Sequence, residues 1–216
     1  MILTPSIASA NPLIIGEVLN SLDPWPYLHI DIEDGNFVPN ITFGMKTVRA
    51  ICSIAKNKQI QVHLMVNHPE NYLEELAVCG VDCVVAQIEA LNYPMQFLNR
   101  CRSLGMKAGL ALNMKTPIEE TKIFWDVMDQ ILLMTSEPDS AGEKLYKPAL
   151  DRAMNLASRP HNGLKLYVDG GLTMDALSQL RSVDVDGAVL GRLVFQSSNP
   201  LEILQSIKGD TCNKIV

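Results

Sequence analysis

Apolar, β-branched runs alternate with amphipathic stretches along the whole chain. The runs at 2–7, 27–32, 60–65, 83–88, 107–112, 130–135, 164–168 and 188–190 read as eight strands. Their hydrophobicity is nearly continuous rather than strictly alternating, which is the signature of parallel strands covered by helices on their outer face. Between them, 69–79 follows Asn67-His68, ends at Gly80 and carries Tyr72, Leu73, Leu76 and Ala77 at helical spacing. Further helices are expected at 93–103, from Thr116-Pro117-Ile118-Glu119 onward, at 173–181 and at 200–208. Eight strand–helix units in 216 residues leave about 27 residues per unit. No Ser/Gly-rich linker or charge run divides the chain. The expectation is an α/β fold, one (β/α)₈ TIM barrel over 1–216, slightly under the ~250 residues typical of that fold. A doubly wound open sheet is the competing arrangement. It usually has fewer strands and often a Gly-rich turn after the first, which Ile7-Ala8-Ser9-Ala10 is not.

Composition narrows the partners. With 47% hydrophobic and 19% charged residues the chain is too apolar to be disordered, and it is long enough to bury a sizeable core. Its formal charge of −6, with no basic cluster, argues against nucleic acid and anionic membrane surfaces. No run approaches the ~18 apolar residues of a membrane span, and the start lacks the basic and apolar segments of a secretory signal. Five scattered cysteines point to a reducing, cytoplasmic setting; Cys79 and Cys83 have no second pair to complete a metal site and are expected to pack in the core.

In a (β/α)₈ barrel the chemistry belongs to the C-terminal ends of the strands. The second strand reads Leu28-His29-Ile30-Asp31-Ile32, so His29 and Asp31 share one face while the apolar residues take the other. His63 stands near the end of the third strand, and Asp169 where the seventh gives way to Gly170-Gly171. Each alone would be an ordinary core histidine or turn aspartate. Together, two imidazoles and two carboxylates form a mixed N/O set suited to Zn²⁺, Fe²⁺, Mn²⁺ or Co²⁺. The loops after strands seven and eight, Gly170-Gly171 and Gly191-Arg192, would let backbone amides approach a phosphate and add a guanidinium clamp. As tight turns alone they would carry no such role.

Pro5-Ser6-Ile7, His29-Ile30-Asp31, Asp34-Gly35-Asn36-Phe37-Val38-Pro39-Asn40, Val62-His63-Leu64-Met65, Leu112-Asn113 with Thr116-Pro117, and Val168-Asp169-Gly170-Gly171 resemble the ribulose-phosphate 3-epimerase family over essentially the whole chain. Ile32-Glu33-Asp34 and the stretch 134–139 look most like a side branch of sugar-phosphate epimerases. The resemblance implies a (β/α)₈ barrel that inverts C3 of a ketose phosphate with a divalent metal. It implies metal ligands at His29, Asp31, His63 and Asp169, and Asp31 and Asp169 as the acid/base pair. It also implies that Ser6, His63, Met65 and Met134 surround the sugar, and that Gly142, Gly170, Gly171, Gly191 and Arg192 grip the phosphate. Family members are often homo-oligomers. Three departures stand out: Glu33 for a usual Met, Gln87 for a usual His, and Asp139-Ser140-Ala141-Gly142 for a Gly-Phe-Gly-Gly phosphate loop. They bear on the substrate, and they keep open a second reading, a non-catalytic sugar- or metal-binding descendant of the same barrel.

Overall fold

The computed structural model describes residues 1–138, 144–158 and 163–209. Eight strands form, in chain order: β1 Ile2–Pro5, β2 Tyr27–Glu33, β3 Gln59–Met65, β4 Cys83–Gln87, β5 Lys107–Leu112, β6 Gln130–Met134, β7 Lys165–Asp169 and β8 Gly187–Leu190. All are parallel, and pairing runs β1-β8-β7-β6-β5-β4-β3-β2. The remaining seam, between β1 and β2, is joined by an isolated parallel bridge from Ser6 to His29. The sheet therefore curls into the expected barrel, and its closing rung joins two candidate site residues.

The helices are α1 Ile15–Ser21, α2 Met45–Ile54, α3 Leu73–Val78, α4 Pro94–Ser103, α5 Lys147–Ala157, α6 Met174–Arg181, α7 Arg192–Phe195 and α8 Pro200–Gly209. Where one helix is expected over 69–79, Pro69–Tyr72 forms a 3₁₀ turn that leads into α3. The expected helix after Thr116 is instead a 3₁₀ segment, Ile118–Phe124. Its β-branched residues are poor helix formers, and the Thr121 hydroxyl donates back to Ile118 O at 2.8 Å while accepting from Trp125 Nε1 at 3.1 Å. Helices α1, α2, α5 and α7 are additional to those expected. None has a side-chain cap such as Thr173 gives α6, so the start signal in the sequence is weak. No helix among the described residues is long and apolar enough to cross a membrane.

Strand parity separates two cores. Outward-facing Leu28, Ile30, Ile32, Val62, Leu64, Val84, Leu110, Ile131, Leu133, Val168 and Ala188 join the helices in one continuous apolar layer. The barrel interior holds a much smaller cluster, Cys83, Val85, Ala111, Leu132, Tyr167 and Val189. Most other buried interior positions are polar, among them Thr4, His29, Asp31, Glu33, Gln61, His63, Gln87 and Gln130; Met65 and Met134 are the apolar ones at the C-terminal end. Buried polar groups are retained only where hydrogen bonds or a ligand satisfy them. The interior is thus where a site must be sought.

Candidate metal centre

His29 and Asp31 project from β2, His63 from β3 and Asp169 from the last position of β7. The β2–β3 register sets Asp31 beside His63 and His29 beside Gln61. One ligand atom from each of His29, Asp31, His63 and Asp169 can be chosen so that all lie within 4.8 Å of one another. His29 Nε2 and His63 Nδ1 approach Asp31 Oδ1 at 3.1 and 3.2 Å, and His63 Nδ1 lies 3.8 Å from Asp169 Oδ2. The two rings meet edge-on, with centroids 5.9 Å apart. Both histidines are fully buried.

The strands deliver these side chains, and a surrounding set of hydrogen bonds orients them. Ser6 Oγ donates to Asp31 Oδ2 at 2.5 Å, leaving Oδ1 to face the histidines. Thr42 Oγ1 donates to Asp31 O at 2.7 Å and accepts from Glu33 N at 3.0 Å. Thr135, fully buried, braces the other acid: the single proton on Oγ1 lies between Asp169 O at 2.9 Å and Gly170 O at 2.6 Å. The Asp34–Asn40 loop holds Thr42 in place. Asp34 Oδ1 accepts from Asn36 N and Phe37 N, Oδ2 accepts from Asn67 N beyond β3, and Gly35 N bonds Asn40 O. Burial works against the Asp34 charge, but these backbone donors together outweigh it and hold its carboxyl below the usual range. His29 Nδ1 lies 2.6 Å from Gln61 Oε1. His63 Nε2 lies 3.2 Å from Gln87, whose amide, with Oε1 accepting from the imidazole, donates through nitrogen to Glu89 Oε2 at 2.8 Å.

The electrostatics divide the two carboxylates. Burial opposes charge on Asp31, but His29 and His63 overcome it through charge and hydrogen bonding and hold the carboxyl well below its ordinary value. Burial, then the Asp31 charge, push Asp169 up to about 6. Burial likewise disfavours charge on His29, yet Asp31 and then Asp169 outweigh it, and its pKa is raised.

The donor set suits a divalent cation. His63 Nδ1 is buried without a hydrogen-bond partner and faces both carboxylates. Two imidazole nitrogens and two carboxylates are what Zn²⁺, Fe²⁺, Mn²⁺ or Co²⁺ accept, and each histidine uses its other nitrogen for an outer hydrogen bond, as metal-bound histidines do.

Of the residues expected near the substrate, Ser6, Met65 and Met134 are buried at the C-terminal ends of β1, β3 and β6. Gly170 and Gly171 follow β7 with φ of 117° and 63°. A Cβ at Gly170 would lie 2.5 Å from Ser136 N, and one at Gly171 would lie 2.5 Å from Leu145 N, so neither turn admits a side chain. Gly191 precedes α7, and Arg192 begins it, half-buried. Gly142, with Asp139, Ser140 and Ala141, lies outside the described residues. Glu33, on the same face of β2 as Asp31, is buried and accepts from Asn40 Nδ2 at 2.7 Å. The sequence reading missed Thr42 and Thr135, because a threonine in a loop or at a strand end gives no sign of the carbonyl it binds. It also missed Gln61, although its parity with His63 was available as a signal.

The sequence pattern of the ribulose-phosphate 3 epimerase family matches residues 2–195. Ribulose-phosphate 3-epimerase of Synechocystis sp. is 33% identical over 96% of this chain and 93% of its own length. That of Bacillus subtilis is 28% identical over 95% and 97%. Among solved structures, KGPDC from Streptococcus mutans in complex with D-R5P superposes with a TM-score of 0.74 at 19% identity, covering 99% of this chain and 98% of that one. A tryptophan synthase alpha-subunit mutant from Pyrococcus furiosus gives 0.70 at 15% identity, covering 98% and 97%. At these identities the structural likeness speaks for the (β/α)₈ fold alone.

Proposed function

The chain belongs to the ribulose-phosphate 3-epimerase family, and on that premise we propose that it is a metal-dependent isomerase inverting C3 of a ketose phosphate such as ribulose 5-phosphate. The observation that carries this reading is the convergence of His29, Asp31, His63 and Asp169 within 4.8 Å at the C-terminal end of the barrel. A divalent cation (Zn, Fe, Mn or Co) held by these four supplies Lewis-acid stabilisation of the negative charge that develops on the substrate oxygens.

Inverting a carbon beside a carbonyl needs a base on one face and an acid on the other. Asp31, kept ionised by its histidines and by Ser6, takes the C3 proton. Asp169, across the site from Asp31, delivers a proton to the opposite face. The two acids exchange roles in the reverse direction. Ser6, His63, Met65 and Met134 line the sugar. The backbone of Gly170, Gly171 and Gly191, with Arg192, grips the phosphate. The free thiols of Cys52, Cys79, Cys83 and Cys101 support a reducing, cytoplasmic setting. A homo-oligomer would cover Leu13 and Ile41, which are 90% and 74% exposed on the loops after β1 and β2.

The test is exchange at C3. Metal-loaded protein in D₂O is expected to place deuterium at C3 of ribulose 5-phosphate while forming its C3 epimer. No exchange on any pentulose or hexulose phosphate would replace the enzyme reading with that of a binding protein.

A further inference from the structure

Gln61 stands two residues before His63 and shares its face of β3, so its amide lies inside the barrel, 6% exposed. Its two polar ends are committed to different partners. Oε1 faces His29 Nδ1 at 2.6 Å, and Nε2 donates to Gln130 Oε1 on β6 at 2.8 Å. The Gln130 oxygen is in turn held as an acceptor by the Cys83 thiol, 3.8 Å away. Burial pushes that thiol up to about 12, so it keeps its proton and can donate here. Gln130 reaches a cavity of about 820 Å³ at the opposite, N-terminal end of the barrel, lined also by Tyr27, Cys83 and Tyr167. A row of side chains thus runs from that end to a candidate metal ligand: Cys83, Gln130, Gln61, His29.

The orientations of the two amides set the direction of the hydrogen bonds along the row. Gln130 presents its oxygen to Gln61, which gives nitrogen to Gln130 and turns its own oxygen to His29. An acceptor at Gln61 Oε1 requires the proton of His29 to sit on Nδ1. The lone pair is then left on Nε2, the atom that points at Asp31 Oδ1 from 3.1 Å. We propose that Gln61, tethered by Gln130, is a positioning residue that holds His29 in its Nδ1–H tautomer and so makes Nε2 available as a metal ligand. Because the partner is a neutral amide, His29 is a less basic donor than it would be beside a carboxylate. The inference rests on the metal site put forward above, but names a determinant of cation affinity that lies one strand away from His29.

The test is Co²⁺ binding at pH 8, followed by calorimetry and by the visible absorption of the bound ion. Wild type, Gln61→Met, Gln61→Glu and Gln130→Met are compared, with unfolding in EDTA reporting whether each variant folds. Gln61→Met is expected to weaken Co²⁺ binding by about 10–100-fold and to alter the visible envelope. Gln61→Glu, which restores an acceptor, is expected to bind at least as tightly as wild type, and Gln130→Met to lose affinity by a smaller factor. Should Gln61→Met fail to fold, the ordering of Gln61→Glu, wild type and Gln130→Met still decides. Unchanged affinity and envelope across the folded variants would overturn the role of Gln61 alone. A wild-type protein that binds no Co²⁺ would instead bring down the metal site itself.

Discussion

Adjacent residues on β3 live in two different environments. Leu64 points outward into the apolar layer beneath the helices, with no exposed surface. His63 points inward, equally buried, and every neighbour that matters to it is polar: Asp31, Asp169 and Gln87. Pleating alone assigns the two roles, since successive side chains take opposite faces. The outer face is free to maximise apolar burial, because none of its positions has to meet substrate. The inner face gives up apolar packing at Thr4, His29, Asp31, Gln61, His63, Gln87 and Gln130, and must satisfy each polar group individually. Stability and chemistry are thus carried by alternate residues of the same strands.

The largest effect should come from the inner face. Asp31→Asn or Asp169→Asn keeps shape and burial but removes a proposed proton carrier, so epimerisation is expected to fall by about 10²–10⁴-fold or more. Circular dichroism and unfolding should show an intact barrel. A variant that keeps over a tenth of the activity would take that residue out of the acid/base pair.

The outer face should respond in the opposite sense. Leu64→Ala leaves a hole in the layer between β3 and its helices, and about 2–5 kcal/mol of stability should go with it. Activity per folded molecule should change little, as the neighbouring His63 keeps its hydrogen bonds. Denaturant unfolding and turnover of the same preparation check both halves. A large loss of turnover with unchanged stability would erase the division between the faces.

The same division explains what the sequence made legible. All eight strands are readable because their outward positions are almost uniformly apolar, a pattern visible within each segment. The four converging side chains are readable because His29 and Asp31 share parity and because His63 and Asp169 fall near strand ends. What links them is not local. Gln61 meets His29 and Gln130 across separations of 32 and 69 residues, and those pairings exist only once the barrel register is set. Thr42 and Thr135 act through hydroxyls on the backbone carbonyls of Asp31 and Asp169, which no residue pattern announces. The segment after Thr116 misleads because its Pro and acids form a helix start, whereas the β-branched residues that follow tighten it into a 3₁₀ turn. The Asp34–Asn40 motif is conspicuous for its sequence, yet its visible work is structural: it fixes the loop that presents Thr42 and Asn40 to β2.

A smaller effect tests what the inner face costs the fold. Asp169 is raised from 3.8 to about 6, first by burial and then by the Asp31 charge. A carboxyl whose folded pKa exceeds its unfolded value binds its proton more tightly in the native state. Its contribution to stability is therefore full below about pH 4 and is lost as pH rises through about 6. In EDTA, Asp169→Asn removes that loss. The variant should match wild type near pH 4 and exceed it by on the order of 2–3 kcal/mol above pH 7, the equivalent of about two units. With Zn²⁺ or Co²⁺ added the order should reverse, because wild type gains binding energy that the amide variant largely forgoes. Urea unfolding at the two pH values, with and without cation, measures all four quantities. Parallel pH profiles in EDTA would mean that Asp169 ionises freely beside Asp31 and that the two carboxylates are not in competition for one site.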